Sequence, residues 1–224
     1  MKKLTSIEAY NLLLKDISDE NDLADIKWLN HCLYTADGAE RIAKKLNLDS
    51  DYAKALGLIH DIGRKINQMN HTIEGYNYLK ENGYEEEGRI CLTHSFIDND
   101  IYQTAGGRPE ILETYKIIKE YLKDKEPNIY DNIIQMCDLF CSEKGYTTIE
   151  KRLLDITKRK GVYQNSKSHL EKTFELKERL EKMMGCSLYD LFPEIKEEDL
   201  NSQEKDYQEL LELVQHPTQD LIVE

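Results

Sequence analysis

The chain lacks any apolar run approaching the roughly 18 to 20 residues that a membrane helix needs. Near its N-terminus the one apolar stretch, Leu12-Leu13-Leu14, is bracketed by Glu8 and Asp16. Neither a membrane span nor a signal-peptide core is expected, and the chain reads as cytoplasmic. Valine is scarce, with Val162, Val214 and Val223 the only three, and there are four prolines against a large stock of Leu, Ile, Glu and Lys. That composition disfavours sheet and predicts an all-α fold. Basic charge is also short: 30 Lys and Arg face 43 Asp and Glu, a formal net charge of −13. Wrapping of nucleic acid by bulk positive charge is excluded. The five cysteines, at 32, 91, 137, 141 and 186, are odd in number and form no framework of close pairs, so reduced thiols are expected. Cys137 and Cys141 lie four apart, but no second pair accompanies them to complete a zinc site.

Apolar periodicity predicts a helix over 22–47, through Trp28, Cys32, Ala39, Ile42, Ala43 and Leu46. Asp49 or Ser50 can cap the next helix, whose nearly continuous Ala53, Ala55, Leu56, Leu58 and Ile59 make it central and buried. Further helices are expected at 71–82, 86–97, 109–123, 127–142, 147–159, 166–185 and 187–192, with a loop at 98–109 that holds Gly106, Gly107 and Pro109. After Pro193 ten acidic residues stand against two basic ones, a net −8 out of the −13. The expected layout is one helical domain over 1–192, its core at 22–160, followed by an acidic tail at 193–224. That tail is read as partly helical through Leu210, Leu211, Leu213 and Val214, and as solvated or docked on a basic surface.

Chemistry concentrates around Ala55-Leu56-Gly57-Leu58-Ile59-His60-Asp61, where an apolar run ends in a polar pair. Burying His and Asp side by side is costly without a partner, and a metal ion is one; a solvent-facing helix end is the other reading. His31 lies in the preceding helix, His71 opens the following one, His94 follows Ile90-Cys91-Leu92-Thr93, and Asp138 sits in the apolar run 133–140. Each residue alone is equally a core histidine on a carbonyl or a capping aspartate. Five predicted helices that each place such a residue beside an apolar stretch favour a shared site. Imidazole with carboxylate suits iron, manganese, cobalt, nickel or zinc rather than calcium or a thiolate-bound metal.

The ordered set His31, His60-Asp61, His71, His94, Asp138 resembles the HD-domain superfamily of metal-dependent phosphohydrolases, and His60-Asp61-Ile62-Gly63 matches that family's most frequent motif. The segments at 71–79 and 137–152 resemble bacterial members of similar size. The resemblance implies an HD-type helical bundle with the metal site in its core. It places one divalent ion on His31, His60, Asp61 and Asp138 and a second on His71 and His94, with Asp61 as the bridge. Iron or manganese is expected, and cobalt, nickel, zinc or magnesium also suit. His94 is not followed by the long glycine-rich motif of cyclic-di-GMP phosphodiesterases, so that activity is not expected. Small bacterial members that split diadenosine tetraphosphate are a further likeness.

The implied reaction is hydrolysis of a small phosphate ester or anhydride, a nucleotide or a dinucleoside polyphosphate, by a metal-activated bridging water. Asp61 and Arg64 are the catalytic candidates; Arg64, Arg108 and Lys144 are the candidate phosphate contacts, with Arg64 equally readable as a solvated arginine, Arg108 read first as part of a plain surface turn and Lys144 first as a solvated lysine. His169 and His216 lie in polar surroundings and are left out of the site, and Trp28, Tyr76 and Tyr78 read as packing residues. The alternative class is a diiron oxygenase of the same fold acting on a small diol or phosphonate, distinguishable by oxygen uptake and a mixed-valent iron signal. A binding module with a degenerate site is the third reading, and the complete six-residue set argues against it.

Overall fold

The structure is a computed structural model that describes residues 3–15, 23–105, 112–123 and 125–218. Its α-helices among these residues are α1 (Ser6–Leu14), α2 (Leu23–Lys45), α3 (Ser50–Ile59), α4 (His71–Glu81), α5 (Glu85–Thr93), α6 (Leu112–Leu122), α7 (Ile129–Phe140), α8 (Ile149–Lys160), α9 (Ser166–Met184) and α10 (Glu197–Val214). Strands β1 (Cys141–Ser142) and β2 (Gly145–Tyr146) form a small antiparallel hairpin, with Cys141 opposite Tyr146 and Ser142 opposite Gly145. The all-α bundle expected from composition is present. No helix among the described residues is long and apolar enough to cross a membrane.

The helix starts follow local chemistry. Asp49 accepts the amide N–H of Tyr52 at 3.1 Å and Asn128 accepts those of Tyr130 and Asp131 at 2.8 and 3.0 Å, so each satisfies donors that the first turn leaves open. Helix α1 has a reciprocal box between Thr5 and Glu8, a start signal readable in the sequence but absent from the expected helices. The 86–97 expectation overruns, because α5 stops at Thr93 with His94 as its cap and a 3₁₀ turn follows at Ile97–Asn99. The 127–142 expectation overruns at its end as well, where the chain leaves α7 for the hairpin. Residues 187–192 form only a 3₁₀ turn, Tyr189–Leu191. Of the predicted 98–109 loop, residues 106–109 lie outside the described residues.

Helix α3 is the centre of the bundle: Ala53, Ala55, Leu56, Gly57, Leu58 and Ile59 are all buried, and it packs against α1 and α2. Gly57 makes the α2 approach, since a Cβ there would lie 2.6 Å from the Ala36 Cα. Helices α5 and α7, which end near the site, are joined by Asp131. Its carboxylate, almost fully buried, accepts from Arg89 at 2.6 Å, Thr93 at 3.1 Å and the Asn128 amide at 2.8 Å. Gln135 adds bonds from Nε2 to the Thr93 and Phe96 carbonyls at 3.0 and 2.8 Å. Replacing Asp131 with Ala leaves the Arg89 guanidinium and two further donors, Thr93 and the Asn128 amide, without their acceptor. Chemical denaturation is expected to show a loss of about 3 kcal/mol; a loss below about 0.5 kcal/mol would mean that the α5–α7 junction is held by apolar packing alone.

The acidic residues from Glu197 to Glu212 ride on α10, whose Leu210 and Val214 are buried. Its acidic face meets the basic α8 through Lys151–Asp199 and Lys158–Glu209, the latter at 2.5 Å.

Candidate metal centre

The sequence brings the six predicted ligands together because each sits at or near a helix end or on a face turned toward the α3 C-terminus. Among the described residues, His31, His60 and Asp138 form one group and Asp61, His71 and His94 another, with the ligating atoms of each group within 4.8 Å of one another. In the first, His31 Nε2 lies 3.1 Å from His60 Nε2 and 3.0 Å from Asp138 Oδ1. In the second, Asp61 Oδ1 lies 3.3 Å from His71 Nε2 and 3.4 Å from His94 Nε2. Asp61 joins them, because its other oxygen, Oδ2, is 3.8 Å from both His31 Nε2 and His60 Nε2.

The backbone decides which ring nitrogen faces the centre. Nδ1 of His31 is 3.2 Å from the Cys141 carbonyl, Nδ1 of His60 2.7 Å from that of Gly57, Nδ1 of His71 3.2 Å from that of Gln68, and Nδ1 of His94 3.0 Å from that of Cys91. A carbonyl only accepts, so each Nδ1 carries a proton and Nε2 is the ring nitrogen that faces the centre. This is the arrangement that orients histidine toward a metal. Three of the four carbonyls belong to the histidine's own turn; the fourth, Cys141, comes from β1 and explains the hairpin's place in the site.

At His71 the result is an acceptor that faces an acceptor. Burial pulls the His71 pKa down to about 4 even against the nearby Asp61 charge, so its ring is neutral. Its Nε2 and Asp61 Oδ1 are both buried, 3.3 Å apart, and neither makes a hydrogen bond. Two buried lone pairs held face to face are unfavourable unless a cation lies between them. The donor set therefore fits divalent metal ions, one per group. Burial opposes ionisation of Asp61, yet the Arg64 guanidinium beside it holds its carboxyl well below the usual range. Burial likewise opposes charge on Asp138, and His31 and His60 outweigh it.

Both groups border a cavity of about 710 Å³, whose wall includes His31, Asp61, His71, His94 and Asp138 but not His60, and its volume is within the size range of small-ligand sites. Arg64 lines it and donates from Nε to Asp61 Oδ2. Trp28 lines it too, and its indole N–H bonds the Asp61 carbonyl at 3.0 Å, fixing the backbone of the site as well as packing. Lys144 is exposed in the hairpin turn and is not in the cavity wall. Arg108 lies outside the described residues. His169 was missed by sequence reasoning: it is buried, burial lowers its pKa to about 4, and it lines the cavity. Its polar neighbours in the chain gave no signal, because α9 turns that face inward.

A model of the HD domain matches residues 28–143, and the chain belongs to the HD-domain family. With its two ligand groups it is a metal-dependent phosphohydrolase of that family. Among solved structures it is similar to the HD domain of the phosphodiesterase PgpH from L. monocytogenes, at 16% identity and a TM-score of 0.39, over 84% of this chain and 93% of that one. No curated protein matches the chain.

Proposed function

We propose that the chain hydrolyses a small phosphate ester or anhydride, with a nucleotide or dinucleoside polyphosphate as the substrate, at a dinuclear iron or manganese centre. The observation that carries this reading is Asp61, whose two oxygens face two different histidine groups beside one cavity. His31, His60, Asp138 and Asp61 Oδ2 would hold one ion; His71, His94 and Asp61 Oδ1 would hold the other. When bound, such ions act as Lewis acids toward phosphoryl oxygens and lower the pKa of a water from about 16 toward neutrality.

The chain's own residues do the rest. The Nδ1–carbonyl bonds hold four imidazoles in register, so no reorganisation accompanies reaction. Arg64 engages Asp61 through Nε alone, and its terminal nitrogens are donors of the geometry that phosphate oxygens accept. Trp28 and Phe96 give the cavity wall apolar surface that limits water around the reacting group. The five cysteines are free thiols, which supports a reducing, cytoplasmic setting.

Protein purified without chelator is expected to carry two metal equivalents per chain. It should release phosphate anaerobically from nucleoside phosphates or dinucleoside polyphosphates when supplied with manganese or iron(II). Oxygen consumption with a diol or phosphonate and no phosphate release from any of the panel would overturn the hydrolase reading in favour of an oxygenase.

A further inference from the structure

The wall that α8 gives to the cavity is basic. Arg152, Arg159 and Lys160 all line it, and none belongs to the ligand groups. Arg152 is the informative one. Its side chain is 21% exposed, and its Nε is buried without a hydrogen-bond partner. Its ion contact within α8 runs from Nη1 to Asp155 Oδ2 at 3.7 Å, beyond hydrogen-bonding range. Asp155 is not waiting for it, because Arg159 already holds the same oxygen at 3.0 and 2.8 Å. Among the described residues, Glu143, from the hairpin, is the one acidic residue in the cavity wall outside the ligand groups.

A largely buried guanidinium with unmet donors is unfavourable by itself and becomes favourable when an anion fills the fork. The scissile phosphate is accounted for by the ligand groups and Arg64. We infer that Arg152 holds a second phosphate group of the substrate, so that the cavity is built for a molecule with at least two phosphates. One is presented to the Asp61 centre and the other to α8. This rests on the hydrolase reading and narrows its substrate class: a nucleoside monophosphate fills one end, whereas a bisphosphate or a polyphosphate chain fills both.

The test compares three probes on the metal-loaded full chain: adenosine 5′-monophosphate, adenosine 3′,5′-bisphosphate with separated phosphates, and adenosine triphosphate with a contiguous chain. Binding is read by calorimetry and turnover by phosphate release. The wild type is expected to bind at least one two-phosphate probe roughly tenfold more tightly than the monophosphate, as a bidentate charged contact would give. Which probe shows the preference identifies separated or contiguous phosphates. In Arg152→Met the preference should fall to about one, and Arg152→Lys, which keeps the charge and loses the fork, should be intermediate. Circular dichroism and metal content show that both variants are folded. An unchanged preference in Arg152→Met, or no preference in the wild type, overturns the inference. If the wild type hydrolyses none of the probes but the binding preference depends on Arg152, the hydrolase reading fails and the phosphate site stands. If the wild type hydrolyses them and the preference ignores Arg152, the reverse holds.

Discussion

Asp61→Asn is expected to cut phosphate release by a factor of about a thousand or more, a loss of about 4 kcal/mol of transition-state stabilisation. It should also remove at least one of two bound metal equivalents. The substitution is isosteric, and the side chain is 2% exposed, so the effect is chemical. Asp61 Oδ1 faces Nε2 of His71 and His94 at 3.3 and 3.4 Å. An amide can place its NH₂ there, donate to one imidazole, and still offer its oxygen to Arg64. The variant thus satisfies internally the groups that Asp61 leaves open for a cation. Its metal-free fold should be about as stable as the wild type's, within about 1 kcal/mol. What it should lose is the stabilisation that metal confers on the wild type, about 2.7 kcal/mol per site at a hundredfold excess over Kd. Elemental analysis, phosphate release and melting with and without manganese read all three effects. A variant that keeps full activity would remove Asp61 from the centre.

The site was legible in the sequence to the extent that its information is local. His60 and His94 stand at the C-terminal caps of α3 and α5, where the ring's Nδ1 reaches carbonyls of its own last turn. An apolar run ending in histidine is what such a position looks like in one dimension. His31 depends instead on the Cys141 carbonyl, 110 residues away, which is delivered by a hairpin that composition gave no reason to expect. The two short strands follow from Gly145, whose φ of 121° few other residues adopt, closing the turn after Ser142.

The substrate-side cations were harder to read for the same reason. Lys144 stands six residues after Asp138 in the chain, but the hairpin turn carries it outward. Nothing in the sequence sets Arg152 apart from the other cations of its segment, yet α8 returns it to the cavity. Charge pattern likewise conveyed the acidity of the 197–214 segment but not its partner. The lysines of α8 at 151 and 158 that meet it are visible only once the two helices are side by side.

The motif's glycine supports the last large expected effect. A Cβ at Gly63 would lie 1.9 Å from the His71 carbonyl oxygen, 2.4 Å from the Gly75 nitrogen and 2.8 Å from the His71 carbonyl carbon. All three are backbone atoms of α4, and Gly75 is itself pressed against Cys91, whose Sγ would be 2.8 Å from a Cβ there. The turn after Asp61 and the first turn of α4 therefore meet backbone to backbone, and α4 meets α5 through the Cys91 side chain. Gly63→Ala can be accommodated only by pushing the α4 N-terminus away, and that terminus carries His71. The expected cost is about 3 kcal/mol in chemical denaturation. The metal stoichiometry should fall from two to one, because His31, His60 and Asp138 lie on elements that this contact does not hold. Gly83→Ala is the contrast: φ is +86° and nothing lies within 4 Å of a Cβ. It should cost about 1 kcal/mol through backbone strain alone and leave both metals bound. If Gly63→Ala folds with two metals and wild-type activity, close approach at Gly63 is not what positions His71, and the second ligand group must be held by the α4–α5 packing instead.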